Sequence, residues 1–362
     1  MAIAASGAVS FSDLRSEFVG GSGAISFSDL YRGGSNIPAK ALNNIADNLA
    51  ASVPTSGTVN FTNFRSTAKG FRYTYSAGAT NQNASALFGD DYSTSYLKEI
   101  VIDSGVELGA TSTAEEALEI DAGGAGTITI TNNGILTGAG GAANGGAGGD
   151  AFEANVACTF INNGTIRSGG GGAGQGGNGG TGGGGQYTST GASSYYGQFG
   201  HGSLACNGIS ASNCPNPYGG VNRVGIYFGS CVGNHESSGC TFKCYGQPQT
   251  TVNTNGGSGG AGGNGGVGQG YGQINTSGAG GAAGANGGTN AGTGGTGGTG
   301  GTGGTFGSNG ANGNTGNTGA NGNRTAGLAG AGGSAGGAAG AAIRNISNVT
   351  FTNNGTVLGG QV

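Results

Sequence analysis

The stretch Gly292-Thr-Gly-Gly-Thr-Gly-Gly-Thr-Gly-Gly-Thr-Gly-Gly-Thr305 puts glycine at every third position, and the phase runs on to Gly322, eleven glycines in succession. The same period holds over 171–183, 257–266 and 278–287. Three residues per turn is the period of the polyproline-II helix, which has no internal hydrogen bonds. Its N–H and C=O groups point outward and need partners. Glycine at the facing positions lets neighbouring backbones approach closely enough to bond to each other, leaving Thr293, Thr296, Thr299, Thr302 and Thr305 along an outer edge. Straight, 292–322 would be roughly 95 Å long, so a reversal is expected near Phe306 to Asn309, and about six to eight such helices are available. Collagen shares the glycine period but requires proline-rich triplets, and 292–322 has no proline. A flexible linker would need no fixed phase.

Working outward, glycine supplies 91 of 362 residues, and charged residues are only 8%. A chain with so few side chains in these runs cannot bury a conventional core there. Net charge is −4, and Arg324 is the one charged residue from Thr251 to Ala342. Nucleic-acid binding through phosphate neutralisation has no support. No apolar run reaches the ~18 residues of a membrane helix, and Met1 to Ser10 lacks the basic start and long apolar stretch of a signal peptide. The chain is not visibly routed through a secretion system, and would reach the outside of cells if assembled in a host cytoplasm and released by lysis.

Between and around the glycine runs lie strands. Thr127-Ile-Thr-Ile-Thr-Asn-Asn-Gly-Ile-Leu136, Cys158-Thr-Phe-Ile-Asn-Asn-Gly-Thr-Ile166 and Val349-Thr-Phe-Thr-Asn-Asn-Gly-Thr-Val357 are one repeat. Each reads as a strand, a tight turn with positive φ at Asn-Asn-Gly, and a second strand. The three are expected to stack with Ile130, Phe160 and Phe351 equivalent, making a β platform. Alternating segments at 71–75, 99–102, 106–108, 118–120 and 127–130 predict a small all-β domain over 70–137.

The N-terminal region, 1–69, carries another repeat: Ser6-Gly-Ala-Val-Ser-Phe-Ser-Asp-Leu14, Ser22-Gly-Ala-Ile-Ser-Phe-Ser-Asp-Leu30 and, more loosely, Ser56-Gly-Thr-Val-Asn-Phe-Thr-Asn-Phe64. Each predicts a short strand with Val9, Ile25 or Val59 on one face, then a helical turn capped at Ser12, Ser28 or Thr62. Pro38 to Ser52 reads as an amphipathic helix with Leu42, Ile45 and Leu49 on one face. Such a repeated unit suits a small adaptor that docks on another protein or pairs with copies of itself.

The segment 186–250 interrupts the glycine-rich part, 138–362, and is rich in tyrosine and cysteine. Tyr187, Tyr195, Tyr196, Phe199, Tyr218, Tyr227, Phe228 and Tyr245 are the candidate receptor-contacting residues, because aromatic side chains give rigid contact area at low entropy cost. The same aromatics could instead form a small local core. Cys206, Cys214, Cys231, Cys240 and Cys244 are disulfide candidates, with pairing unreadable from spacing. A zinc site from His235, Cys240 and Cys244 matches no common finger spacing. No metal and no cofactor is expected. No catalytic constellation stands out: Asp90-Asp91 is isolated, and the many Gly-x-Gly-x-x-Gly matches lack a strand–helix context.

The N-terminal repeat resembles elements at the ends of tailed-phage structural proteins, and the strand–Asn-Asn-Gly–strand units look like modules of phage tail-tip proteins. The glycine period with aromatic loops is similar to the distal tail-fibre adhesins of T-even-like phages. The resemblance implies a polyproline-II sandwich in a virion tail, made in the host cytoplasm and acting extracellularly. It implies attachment to other tail proteins through 1–69 and binding to a host outer-membrane protein or surface glycan through loops at its tip. Without a catalytic constellation, no enzymatic activity is expected. One long cysteine-rich insert dominates here where that family has several loops. A structural tail or collar subunit without a receptor role, and an ice-binding protein using the Thr293–Thr305 edge, are the alternatives. A trimer, as in many fibre parts, and a block saturated within one chain are both open.

Overall fold

Ser10, Ser26 and Asn60 each open a short helical turn, at Phe11–Leu14, Phe27–Leu30 and Phe61–Phe64. In each, the residue three positions on closes a reciprocal cap: the carboxylates of Asp13 and Asp29 and the amide oxygen of Asn63 accept the cap residue's own N–H. The caps lie two residues before the expected Ser12, Ser28 and Thr62, because only the earlier positions have an acid or amide three residues later. Among the described residues, no strand immediately precedes any of them. Val9, Ile25 and Val59 instead pack onto a small core of Leu14, Phe18, Leu30, Ile37 and Phe64. The computed structural model describes residues 3–38, 47–191, 194–201, 221–228 and 240–362. Of the helix expected over Pro38 to Ser52, Leu42 and Ile45 lie outside the described residues. The described end is not helical: β1 (Asp47–Asn48) pairs antiparallel with β2 (Gly70–Tyr75), and the Leu49 N–H donates to the Gly70 carbonyl. Pairing with a neighbouring strand has overridden the local periodicity.

From β2 onward the chain winds through repeated coils, each giving one strand to each of three parallel sheets. The first coil is β2, β3 (Ala79–Thr80) and β4 (Gln82–Asn83); the second is β5 (Leu97–Ile102), β6 (Glu107–Gly109) and β7 (Leu118–Ile120). The third is β8 (Ile128–Asn132), β9 (Ile135–Thr137) and β10 (Phe152–Ala154). The fourth begins with β11 (Cys158–Asn162) and β12 (Thr165–Arg167). The chain then leaves through β13 (Gly185–Thr190), β14 (Ser194–His201), β15 (Val221–Phe228) and β16 (Cys240–Thr254), and returns as β17 (Ala341–Arg344) to complete that coil. The last coil is β18 (Val349–Asn353), β19 (Thr356–Leu358) and β20 (Gly360–Gln361). Ile130, Phe160 and Phe351 stand in register, as the repeat predicts. Ile100, Leu108, Leu118, Ile130, Leu136, Phe152, Phe160, Ile166 and Ile343 are fully buried in one core shared by the three sheets.

The Asn-Asn-Gly turn differs from the expectation. Its two flanking strands belong to different sheets and do not pair with each other. None of these asparagines or glycines adopts positive φ. The motif is a corner, and stacking explains its composition. Asn132 donates from Nδ2 to Asn162 Oδ1, and Asn162 donates likewise to Asn353, both at 2.8 Å. Glycine follows because a Cβ at Gly164 would strike the Gly134 carbonyl, and one at Gly355 the Gly164 carbonyl.

The glycine runs lie side by side in segments 168–184, 255–269, 275–288, 291–305, 308–322 and 325–340, neither helical nor in β ladders. Their backbones bond to each other at every third residue. Gly176, Gly179 and Gly182 donate to Gly263, Gly260 and Gly257, an antiparallel pair. Gly174, Gly177 and Gly180 donate to Ala311, Asn314 and Asn317, a parallel one. Gly298, Gly301, Ala331 and Ser334 in turn donate to carbonyls of 168–184. That segment is central, and its N–H and C=O groups find partners on all sides, which is what a buried backbone requires. Only Gln175, Asn178 and Thr181 break its surface. The chain reverses at Gly307 (φ +69), so that Ala311 and Asn314 donate back to Thr302 and Thr299. The whole is mainly β, with parallel sheets and few short helices.

Candidate functional site

The insert grows directly out of the glycine-rich block. Segment 168–184 continues into β13, and β16 continues into 255–269. The two strands pair antiparallel from Gly185↔Thr254 to Thr190↔Gln249. The base is pinned to the block: Thr254 Oγ1 donates to the Thr289 carbonyl at 2.7 Å, and Asn323 Nδ2 to the Gln186 carbonyl at 2.8 Å. Beyond it β16 is flanked by β14 and β15, both antiparallel. The register aligns Phe199, Phe242 and Phe228 across the three strands, and Tyr195 with Tyr245.

Of the candidate contact residues, Tyr187 sits half-buried on β13. Tyr195, Tyr196 and Phe199 fall on β14, Tyr227 and Phe228 on β15, and Tyr245 on β16. Tyr218 lies outside the described residues. So do Cys206, Cys214 and Cys231, while Cys240 and Cys244 are on β16, opposite His201 and Ile226 respectively. Cys158 is a free thiol buried in the coil core, where desolvation pushes it up to about 12.

At the other end, the three N-terminal repeats bring Phe11, Phe27 and Phe61 together. Their ring centres are 4.9, 5.1 and 5.0 Å apart, close to an equilateral triangle, and Phe11 is 37% exposed. None of the three is among the expected contact residues. The signal was available, since phenylalanine holds the same place in all three repeats.

A group of carboxylates lies beside β7, β10 and β17. Burial first, then Glu153, Glu119 and Asp150, raise Glu116 to about 7, against the opposing Arg344. Arg344 is ion-paired with Asp150, and Asn155 and Asn345 bond Glu119 and Glu153. Glu115 and Glu116 lie in the loop before β7 and not on a strand. Among the described residues no cluster of histidine, cysteine and carboxylate could hold a metal ion, and no helix is long and apolar enough to cross a membrane.

A family model described as phage tail fibre adhesin Gp38 matches residues 70–264, more than half of the chain. The chain belongs to the Gp38 tail-fibre adhesin family. The matched span runs from the first coil through the insert and into segment 255–269, so it takes in both the platform and the aromatic strands. Membership settles the broad function: a non-catalytic adhesin of the phage virion, at the receptor-binding tip of the tail fibre, associated with that fibre and with a host surface. It also decides against the structural-subunit and ice-binding readings. No curated protein and no solved structure matches the chain.

Proposed function

We propose that the insert, 186–250, is the part of this Gp38-type adhesin that touches the host, with Tyr187, Tyr195, Tyr196, Phe199, Tyr218, Tyr227, Phe228 and Tyr245 supplying contact area and Cys206, Cys214, Cys231, Cys240 and Cys244 stapling it. The carrying observation is that both ends of the insert are continuous with two paired segments of the glycine-rich block, on the side away from the coils. In this reading the glycine segments are polyproline-II helices. The three-residue spacing of their mutual hydrogen bonds supports it, and segment 168–184 then carries the insert roughly 50 Å from the coils. The receptor is an outer-membrane protein or surface glycan, which aromatic, serine- and asparagine-rich surfaces recognise well.

Residues 1–69 are the docking element for the fibre, with 70–137 and 138–362 as the scaffold. The near-equilateral Phe11, Phe27 and Phe61 fit a threefold fibre end, one repeat for each fibre chain, with a single adhesin as the cap.

Binding of the purified protein to host cells tests this, set against a variant in which 186–250 is replaced by a short turn. The full chain is expected to bind and block phage adsorption, and the folded deletion to do neither. Equal binding by both would move the receptor site to the coils or the block.

A further inference from the structure

Asparagine followed by glycine is chemically labile. The glycine amide nitrogen can attack the asparagine Cγ, with loss of ammonia, to give a cyclic imide. Two things must be free for this: the glycine N–H and the asparagine side chain. In the glycine-rich block and the coils both are generally engaged. Gly179, Gly310, Gly313 and Gly322 donate to backbone carbonyls. Gly134, Gly265 and Gly355 donate to asparagine side chains. Asn144 and Asn163 precede glycines without such bonds, but their side chains are held, Asn144 by the Gly265 N–H and Asn163 by Asn133 and Asn354.

Among the described residues two pairs have neither restraint, Asn255–Gly256 and Asn286–Gly287. They are neighbours, since the Gly288 N–H donates to the Asn255 carbonyl. Both glycines face a backbone carbonyl, but Gly256 is the more tightly wedged: a Cβ there would lie 1.7 Å from the Gly182 carbonyl oxygen, against 2.4 Å from that of Gly292 at Gly287. The backbone at Gly256 therefore has less room to turn toward its asparagine than that at Gly287. Both asparagines are exposed; Asn286 lies on 275–288, whose N–H groups bond only to 255–269 while its carbonyls accept from 291–305.

We propose that Asn286–Gly287 is a site of spontaneous deamidation in the folded adhesin. The Gly287 nitrogen loses its proton and bonds to Asn286 Cγ while the Cγ–Nδ2 bond breaks and ammonia leaves with that proton. Water then opens the imide at either carbonyl, giving aspartate or isoaspartate. One water is consumed and one ammonia released, with no oxidant or reductant. The product is a new carboxylate in a region whose one charged residue is Arg324. It appears beside the base of the insert, where Thr289 and Asn290 bond Thr254 and Gln186. In an adhesin this is a slow chemical ageing of the end nearest the insert.

The full chain, incubated in neutral to mildly alkaline buffer and sampled over weeks, is to be digested with a protease of broad specificity. Each Asn-Gly pair is then scored by mass spectrometry, with fragmentation that separates isoaspartate from aspartate. Conversion at Asn286 is expected to run at least about tenfold ahead of Asn309, Asn312 and Asn321, whose glycines must first break lattice hydrogen bonds. The same chain in denaturant should convert all four at similar rates, and N286Q should remove the fast site while leaving the fold intact. Comparable rates at the four pairs in the folded protein, or a silent Asn286, would overturn the proposal. Because the readout is mass and not cell binding, it stands or falls apart from the assignment of the insert.

Discussion

The guanidinium of Arg167 lies 4.0 Å from the ring centre of Phe306, joining the fourth coil to the reversal in the glycine-rich block. Arg167 is itself held by Glu107 at 2.9 Å and by Thr137 Oγ1, so a chain of contacts runs from the second coil through the third to the block. A second contact acts nearby, where the Tyr271 ring fills the space over Gly109. Cation–π contacts contribute about 0.5–2 kcal/mol. Phe306→Ala is expected to lower stability by about 1–2 kcal/mol in urea unfolding. Arg167→Lys should recover only part of a full Arg167→Ala loss, because an ammonium keeps the charge but not the planar stacking.

The glycine lattice makes a sharper prediction. At Gly176 a methyl group would overlap the Gly298 carbonyl, while Gly280 and Gly332 face open space without left-handed φ. Gly176→Ala should therefore cost about 3 kcal/mol or more, since backbone cannot move aside as a side chain can. Gly280→Ala and Gly332→Ala should be neutral or stabilising by about 0.4–1 kcal/mol, through the entropy of the unfolded chain. Equal effects at the three positions, measured by thermal unfolding, would contradict the packing described above.

Much of this was legible beforehand. The equivalence of Ile130, Phe160 and Phe351, and the turn at Phe306–Gly307, follow from repeat phase and chain length. The corner role of Asn-Asn-Gly did not, because local turn chemistry and a stacked asparagine ladder favour the same residues. Only the partner strand, about thirty residues or more away in sequence, distinguishes them. The caps at Ser10 and Ser26 could have been found from the Ser-x-x-Asp spacing. The gathering of Phe11, Phe27 and Phe61 needed the tertiary arrangement of the repeats.

The asparagine ladder can be tested at its middle rung. Asn162 is fully buried and bonds both neighbours. Asn162→Ala should cost about 2–3 kcal/mol, more than either single hydrogen bond, because it also strips a buried partner from Asn132. Asn353→Ala, at the exposed last coil, should cost less, within about 1 kcal/mol.

Glu116 sets a pH dependence. Its folded pKa of about 7 lies above the ordinary 4.5, so the folded state holds the proton more tightly than the unfolded chain. The associated stability is complete below pH 4.5 and is lost as pH rises through 7. Glu116→Gln is expected to raise stability at pH 8 by about 1 kcal/mol, after allowing for solvent around a half-buried group, and to change little at pH 4. A gain of the same size at both pH values would mean that the carboxylate is not the cause.

Successive coils turn between the second and third sheets at Asn81, at 110–117, at 138–151 and at 168–340. The same corner therefore accommodates one residue or an excursion of nearly half the chain. The two ends of the longest excursion stay together, since the Gly340 N–H donates to the Gly169 carbonyl at 3.0 Å. Because β12 and β17 pair with the third and fifth coils on both sides, their register does not depend on what lies between them. Replacing 170–339 by a short turn like that at Asn81 should leave a soluble protein with a cooperative transition and a β-type circular dichroism spectrum. It should keep its association with the fibre and lose cell binding. An aggregated or unfolded product would show instead that the coils need the block, through Arg167–Phe306 and Tyr271–Gly109, to fold at all.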